Sequence, residues 1–120
     1  MSRTIEAVVA GHICLDIIPT LASQDLAFEP GKMREVGPVV LSTGGAVSNT
    51  GLALHKLGIQ TRLMGKVGAD QFGQIVLDIV RAHGSDLAEG IIRAPGEVTA
   101  YTLVLSPRGA GHMFLHCPGC

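Results

Sequence analysis

The chain has 120 residues and is 47% hydrophobic, with a mean hydropathy of +0.39, so we expect a single folded domain rather than a disordered segment. Nine Lys and Arg residues against ten Asp and Glu residues, with 3% aromatic residues, exclude the basic, base-stacking surface of a nucleic-acid binder. Three cysteines, an odd number, argue against a disulfide framework and predict a reducing, cytoplasmic location.

The first 18 residues contain two short apolar runs, 5–10 and 13–18, which superficially resemble a signal peptide. Glu6 and Asp16 interrupt this apolar segment, so we interpret the runs as two strands of a sheet. A carboxylate within an apolar strand costs free energy unless it is paired or faces a ligand. Asp16 therefore either faces a ligand or lies on an edge strand, turned to solvent. No apolar segment is long and uninterrupted enough to predict a membrane span.

Residues 21–32 are predicted to form a loop, and residues 33–41 an extended segment that Gly37-Pro38 bends or places at a sheet edge. The next segment, 42–58, reads STGGAVSNTGLALHKLG. Its spacing predicts a helix over 46–57 that ends at Gly58. On this helix we expect a buried stripe of Val47, Leu54 and Leu57, with Gly51 and Ala53 allowing close approach.

The junction between that strand and that helix is a candidate site for a polar ligand. Gly44 and Gly45 would let the backbone approach a ligand closely, and the first N–H groups of the helix are free to face it. Asn49 lies about one turn inside the helix, where its amide can both donate and accept hydrogen bonds. The alternative interpretation is a tight loop followed by a helix with a polar face.

Residues 59–67 alternate as a strand, with Thr61, Leu63 and Val67 on one face. Asp70 is the predicted N-cap of a second helix, which runs to His83 and ends at Gly84. The apolar positions of this helix have the clearest helical period in the chain: Phe72, Ile75, Val76, Ile79 and Val80.

The glycine-rich segment 65–73 has some features of a phosphate-binding loop. It lacks both the Lys-Ser/Thr pair of a P-loop and the glycine spacing of a dinucleotide site. Its glycines more simply serve the turn and the packing of helix on strand. A nucleotide-binding role is kept as an alternative.

The last third of the chain changes to short β-rich runs at 90–94, 98–105 and 111–116, with a predicted hairpin turn at 106–109. The whole pattern is two strands, a loop, then strand, helix, strand, helix and three strands. It predicts an α/β layer followed by a piece of antiparallel sheet.

The histidines and cysteines at the C-terminal end have the composition of a metal site: His112, His116, Cys117 and Cys120. Residues four apart on an extended strand are about 13 Å apart, so His112 and His116 cannot share one ion there. We therefore predict no metal site.

Taken in order, four segments resemble the PfkB (ribokinase-like) family of carbohydrate kinases. They are the opening strands VVAGHICLDI with Asp16, the Gly-Gly-x-x-x-Asn motif at Gly44, Gly45 and Asn49, the Gly-x-Asp-x-x-Gly motif at 68–73, and the strands TAYTLVL and HMFLHCPG. The resemblance covers residues 1–120 but corresponds only to the N-terminal part of the family's domain.

The resemblance implies an α/β fold: part of a Rossmann-like, ribokinase-type core with a small β-sheet lid, and a homodimer formed through the lid strands. It also implies transfer of the γ-phosphate of ATP, with Mg²⁺, to a hydroxymethyl group of a sugar or nucleoside-like molecule. Carried over by position, Asp16 and Asn49 would bind sugar hydroxyls, Gly44 and Gly45 would bring backbone up to the sugar, and Thr99 would belong to the lid.

The chain departs from the family pattern in two ways. Ala46 stands where ribokinase has Lys, which disfavours ribose and leaves fructose, a ketodeoxy sugar acid or a nucleoside open. The family's catalytic base, Gly-Ala-Gly-Asp anion hole and ATP-binding residues lie further downstream, so we assign no catalytic, cofactor-binding or metal-binding residue here. The alternatives are a non-catalytic binding or dimerisation module, and a small Rossmann-type nucleotide binder that uses segment 65–73.

Overall fold

Seven strands and two helices make up the described residues, 4–21, 29–106 and 111–120, of this computed structural model. The elements are β1 (Ala7–Ala10), β2 (Cys14–Pro19), β3 (Val39–Gly44), α1 (Gly45–Lys56), β4 (Thr61–Gly68), α2 (Gln71–His83), a 3-10 turn (Leu87–Gly90), β5 (Ile91–Ala94), β6 (Tyr101–Leu105) and β7 (Met113–Cys117). Their order confirms the predicted pattern. Neither helix in these ranges is long and apolar enough to cross a membrane.

Strands β1, β4 and β5 form a parallel sheet in the order β1-β4-β5. Residues of this sheet, of both helices, of the 3-10 turn and of the start of β2 join one apolar cluster: Ile13, Leu15, Val47, Leu63, Val67, Val76, Leu77, Val80, Leu87, Ala88 and Ile91. The other face of the sheet is open, because Val8, Met64 and Ile92 are exposed there. Parallel sheets are normally covered on both faces.

The second sheet has the order β3-β2-β6-β7 and forms the lid. Strand β2 pairs antiparallel with β3 and parallel with β6, and β6 pairs antiparallel with β7. We had expected the last three strands to share an antiparallel sheet, and for β5 this is wrong. After α2, the 3-10 turn returns the chain alongside β4, so β5 completes a β-α-β unit and pairs parallel with β4.

Helix α1 buries only part of the predicted stripe: Val47 is buried and Leu54 is partly buried, whereas Leu57 and Ala53 are exposed. Leu57 is 76% exposed, because the helix ends at Lys56 and Leu57 is only its C-cap. The buried positions are Val47, Ser48 and Gly51. A Cβ atom on Gly51 would lie 2.1 Å from Leu63 Cδ2, which confirms that this glycine allows close approach of helix and sheet.

The start and end of α2 are as predicted. The Asp70 side chain accepts a hydrogen bond from Gly73 N at 2.8 Å, and Gly84 is the C-cap. The predicted extended segment at 33–41 becomes a strand only at Val39, because Gly37 and Pro38 bond to Thr20 instead of a strand partner. The hairpin turn predicted at 106–109 and most of the predicted loop at 21–32 lie outside the described residues.

Candidate functional site

Asp16 lies in the middle of the lid sheet, on a strand that has neighbours on both sides. Strand β2 pairs with β3 and with β6, so the edge-strand interpretation of Asp16 is wrong. The side chain is half-buried, and within residues 4–21, 29–106 and 111–120 it forms no salt bridge. A carboxylate in this setting is available to accept hydrogen bonds from a ligand.

Gly44 provides the space that the Asp16 carboxylate occupies. Gly44 pairs with Cys14 across β2 and β3, two residues before Asp16 and on the same face, and a Cβ on Gly44 would lie 2.6 Å from Asp16 Oδ2. Gly44 has an ordinary extended backbone, with φ of −128°, so its requirement is for space alone. Any side chain here would displace the carboxylate.

Gly45 fixes the start of α1 against the connection between β1 and β2. Its φ of +86° suits glycine, and a Cβ would lie 2.5 Å from the carbonyl oxygen of His12. That same oxygen accepts a hydrogen bond from Val47 N at 3.1 Å. One of the helix N–H groups that we expected to face a ligand is therefore used within the protein.

A pocket of about 370 Å³ opens beside these residues. Strands β2, β6 and β7, the β1–β2 connection and the start of α1 line it with His12, Cys14, Asp16, Gly45, Thr102, Val104, Phe114 and His116. Polar groups line one part of the pocket and apolar side chains the other, which is the usual makeup of a small-molecule site.

Hydrogen bonds link the polar groups of the pocket across three strands. The Cys14 thiol donates to Asp16 Oδ1 at 3.5 Å, Cys14 Sγ lies 3.9 Å from Thr102 Oγ1, and Thr102 Oγ1 bonds His116 Nδ1 at 2.8 Å. The His12 ring packs edge-on against His116, with ring centroids 5.6 Å apart. Burial, together with the Asp16 carboxylate, raises the pKa of the Cys14 thiol.

The structure does not bring Asn49 and Thr99 into this pocket. Asn49 is exposed and lines a separate depression between the two helices, together with Ser48 and His83. Thr99 is fully buried and bonded to Asp70 and to Gly68 N. Direct ligand contacts of Asn49 and Thr99 stay predictions, whereas Asp16, Gly44 and Gly45 lie together.

Segment 65–73 does not fit a phosphate group. Gly68 N donates to Thr99 Oγ1 and Gly73 N donates to Asp70 Oδ1, both at 2.8 Å, so these N–H groups are already used. Burial alone would raise the pKa of Asp70, but hydrogen bonds from Thr99 and Gly73 outweigh it and lower that pKa. The negative charge at this helix start would repel phosphate.

Sequence reasoning missed five residues of the pocket wall: His12, Cys14, Thr102, Val104 and Phe114. It considered His116 only as a metal ligand. Within the described ranges no group of three or more metal-binding side chains comes together, and His112 and His116 bond different hydroxyls, those of Ser106 and Thr102. The alternation of β6 and β7 was visible in the sequence, but the pairing of β6 with β2 was not.

A parallel sheet packed against helices, with a separate lid sheet beside a polar pocket, is the architecture of the ribokinase-like class of kinase folds. The ribokinase of Arabidopsis thaliana complexed with ribose and ATP has a TM-score of 0.76 at 20% identity, over 98% of this chain and 37% of that one. The Burkholderia thailandensis nucleoside kinase in complex with inosine has a TM-score of 0.70 at 25% identity, over 94% of this chain and 36% of that one.

Residues 4–111 match the family model described as pfkB family carbohydrate kinase, and the chain belongs to this family. Fructokinase-2 of Solanum lycopersicum is 33% identical over 94 residues, which are 78% of this chain and 26% of that protein. The predicted resemblance and fold class are confirmed. The chain spans about a quarter of the length of the curated relatives it matches.

Proposed function

We propose that this chain is the sugar-binding part of an ATP-dependent kinase that phosphorylates a sugar or a sugar-like hydroxymethyl group. The observation that carries the proposal is the Asp16 carboxylate, which faces a pocket from a central strand with Gly44 keeping space for it. The similarity to fructokinases supports a sugar as ligand, and the similarity to a nucleoside kinase in complex with inosine supports a nucleoside as the alternative.

The chemistry of the pocket favours hydroxyl groups over phosphate. An ionised carboxylate only accepts hydrogen bonds, so it binds O–H donors and repels anions. Among the described residues that line the pocket there is no Lys or Arg to offset that repulsion. The pocket therefore suits the part of a sugar that is held rather than the phosphate that is transferred.

In this proposal, the nucleotide and Mg²⁺ are bound by residues other than the 120 of this chain. The ADP complex of a Cryptococcus neoformans ribokinase with the same fold supports a nucleotide as cosubstrate. In our structure the N–H groups of Gly68 and Gly73 in the glycine-rich segment 65–73 are occupied by Thr99 and Asp70. We expect no phosphoryl transfer by the 120 residues alone, and a cytoplasmic location stays a prediction.

Isothermal titration calorimetry with fructose, ribose, inosine and ATP tests the proposal. The wild-type chain should bind a sugar or nucleoside and not ATP, and Asp16→Asn should weaken that binding by about tenfold or more, because a charged acceptor is lost. Asp78→Asn, on the exposed side of α2, is the matched control and should bind like wild type. Equal sugar affinity in wild type and Asp16→Asn would refute the site.

A second proposal concerns association through the lid. On the face opposite Asp16, the side chains of Leu41, Ile17, Leu103 and Leu115 form one apolar row across the four strands. Leu41 and Leu115 are exposed. A continuous apolar row of this kind favours packing against a second copy of the same lid, which would bury both rows.

A further inference from the structure

One polar row crosses the lid on the pocket side. Asp16 pairs with Thr102, and Thr102 pairs with His116, so the three side chains stand on the same face of three adjacent strands. All three line the pocket. Because neighbouring strands lie about 4.8 Å apart, the Cα atoms of Asp16 and His116 are roughly 10 Å apart. The Asp16 and His116 side chains thus stand at the two ends of the row, with Thr102 between them.

Hydrogen bonds along the row orient the imidazole of His116. Its Nδ1 is bonded to Thr102 Oγ1 at 2.8 Å, and its ring packs edge-on against His12. In the ranges that the structure describes, no protein group bonds Nε2, which is left for a ligand. Asp16 can only accept hydrogen bonds, whereas the imidazole can donate or accept through Nε2 according to its tautomer.

The neighbouring row on the same face is apolar. Val104 and Phe114 pair across β6 and β7 and line the pocket next to Thr102 and His116. Phe114 is 62% exposed, so its ring is accessible to a ligand. A sugar ring has hydroxyls at its edge and C–H groups on its face, which matches a polar row beside an apolar one.

The charge of the pocket favours a neutral ligand. Among the described residues that line it, Asp16 is the one carboxylate, and no Lys or Arg stands beside it. A sugar acid would place its own carboxylate near Asp16. A neutral monosaccharide avoids this repulsion and still supplies hydroxyls at both ends of the row.

We propose that His116 determines specificity in this pocket. Its Nε2 binds a hydroxyl of a neutral monosaccharide at the end opposite the hydroxyl held by Asp16, while Phe114 contacts the C–H face of the ring. This inference rests on the proposed function and adds to it the substrate class and the residue that selects it. The arrangement depends on His116 and Thr102 being neighbours in register, which the family match does not specify.

Calorimetry on the full 120-residue chain tests the inference with fructose and its monodeoxy derivatives, and with a sugar acid as the charged ligand. His116→Ala should bind fructose about tenfold more weakly, the effect of one lost hydrogen bond to the ligand. One of the deoxy derivatives lacks the hydroxyl that His116 binds. For that derivative, the affinity of His116→Ala should be no lower than that of wild type. His116→Gln, which restores an amide near the position of Nε2, should recover part of the affinity.

Two matched controls separate this role from a structural one. His83→Ala removes an exposed imidazole at the end of α2 and should leave sugar affinity unchanged. Phe114→Ala should weaken binding, whereas Leu115→Ala, on the next residue and the opposite face at 60% exposure, should not. In the wild-type chain, NMR should show the His116 ring protons shifting on addition of sugar, a measurement that needs no variant.

The outcomes distinguish this inference from the proposed function. If Asp16→Asn abolishes sugar binding but His116→Ala leaves the ratio of fructose to deoxy-sugar affinity unchanged, the role of His116 is overturned and the sugar site stands. Tighter binding of the sugar acid than of fructose would overturn the neutral substrate class. Absence of sugar binding by the wild-type chain would overturn both proposals.

Discussion

Asp70 and Thr99 connect the start of α2 to the segment that leads into the lid. The hydroxyl of Thr99 donates to Asp70 Oδ1 at 2.6 Å, and Thr99 N donates to Asp70 Oδ2 at 3.0 Å. Asp70 Oδ1 also accepts from Gly73 N, so one carboxylate caps the helix and holds the backbone two residues before β6. Because β6 carries Thr102, this contact positions one wall of the pocket relative to the core.

Replacing Asp70 should destabilise the chain. In Asp70→Asn the amide nitrogen would face the Thr99 N–H, two donors together, so we expect the free energy of unfolding to fall by about 1–2 kcal/mol. Asp70→Ser keeps a helix cap but cannot reach Thr99. Its free energy of unfolding should lie between those of wild type and Asp70→Asn. Urea denaturation followed by circular dichroism measures both. Asp78→Asn, on the exposed side of the same helix, should stay within about 0.5 kcal/mol of wild type.

The same carboxylate predicts how stability depends on pH. Its pKa is lowered in the folded state, so its contribution is fully present above the unfolded-state pKa and is lost as the pH falls through the folded-state value. The difference in unfolding free energy between wild type and Asp70→Ala should therefore be constant from pH 7 to pH 5 and shrink below about pH 4. Urea melts at each pH measure it, and a gap that widens in acid would contradict the assignment.

Helix α2 and Asp16 show what the sequence makes predictable. The bounds of α2 follow from local signals: a periodic apolar stripe, the Asp70 cap and Gly84. Asp16 stood out because a carboxylate in an apolar strand needs a partner or a ligand. Both predictions depend on residues close together in the chain, so they required no knowledge of which strands pair.

The wall of the pocket depends on pairing between distant strands. Thr102 meets Asp16 across a parallel pair, and His116 meets Thr102 across an antiparallel one. A shift of either register by one residue would turn these side chains to the opposite face, and alternation alone does not fix register. For the same reason β5 was assigned to the wrong sheet.

A side chain on Gly44 should weaken ligand binding without unfolding the chain. A Cβ there would lie 2.6 Å and 2.9 Å from the two oxygens of Asp16, which must then move out of the pocket. We expect Gly44→Ala to weaken sugar binding by about tenfold or more, measured by calorimetry. Gly111→Ala is the control, since a Cβ at Gly111 has no neighbour within 4 Å. Undiminished sugar affinity in Gly44→Ala would argue against Asp16 as the ligand-binding group.

Cys14 should react more slowly with alkylating reagents than the other two cysteines. It is 4% exposed, and burial with the nearby Asp16 carboxylate raises its pKa, so little thiolate forms at neutral pH. Cys117 and Cys120 are both partly exposed. Mass spectrometry after timed iodoacetamide treatment at pH 7.5 measures the three rates, and Asp16→Asn should raise the Cys14 rate. Alkylation of Cys14 as fast as that of Cys117 would show that the pocket is open to reagent at this thiol.

Introducing a charge on the outer face of the lid should prevent self-association. Leu115 is 60% exposed and belongs to the apolar row with Leu103, so in a lid-to-lid dimer it would be buried. Leu115→Asp would place an unpaired carboxylate in that interface, and we expect a shift from dimer to monomer in sedimentation velocity. Ile92→Asp makes the same change at a side chain that is 63% exposed on the open face of the other sheet, and it should leave the dimer intact. If Ile92→Asp dissociates the dimer and Leu115→Asp does not, the chain associates through its parallel sheet instead of its lid.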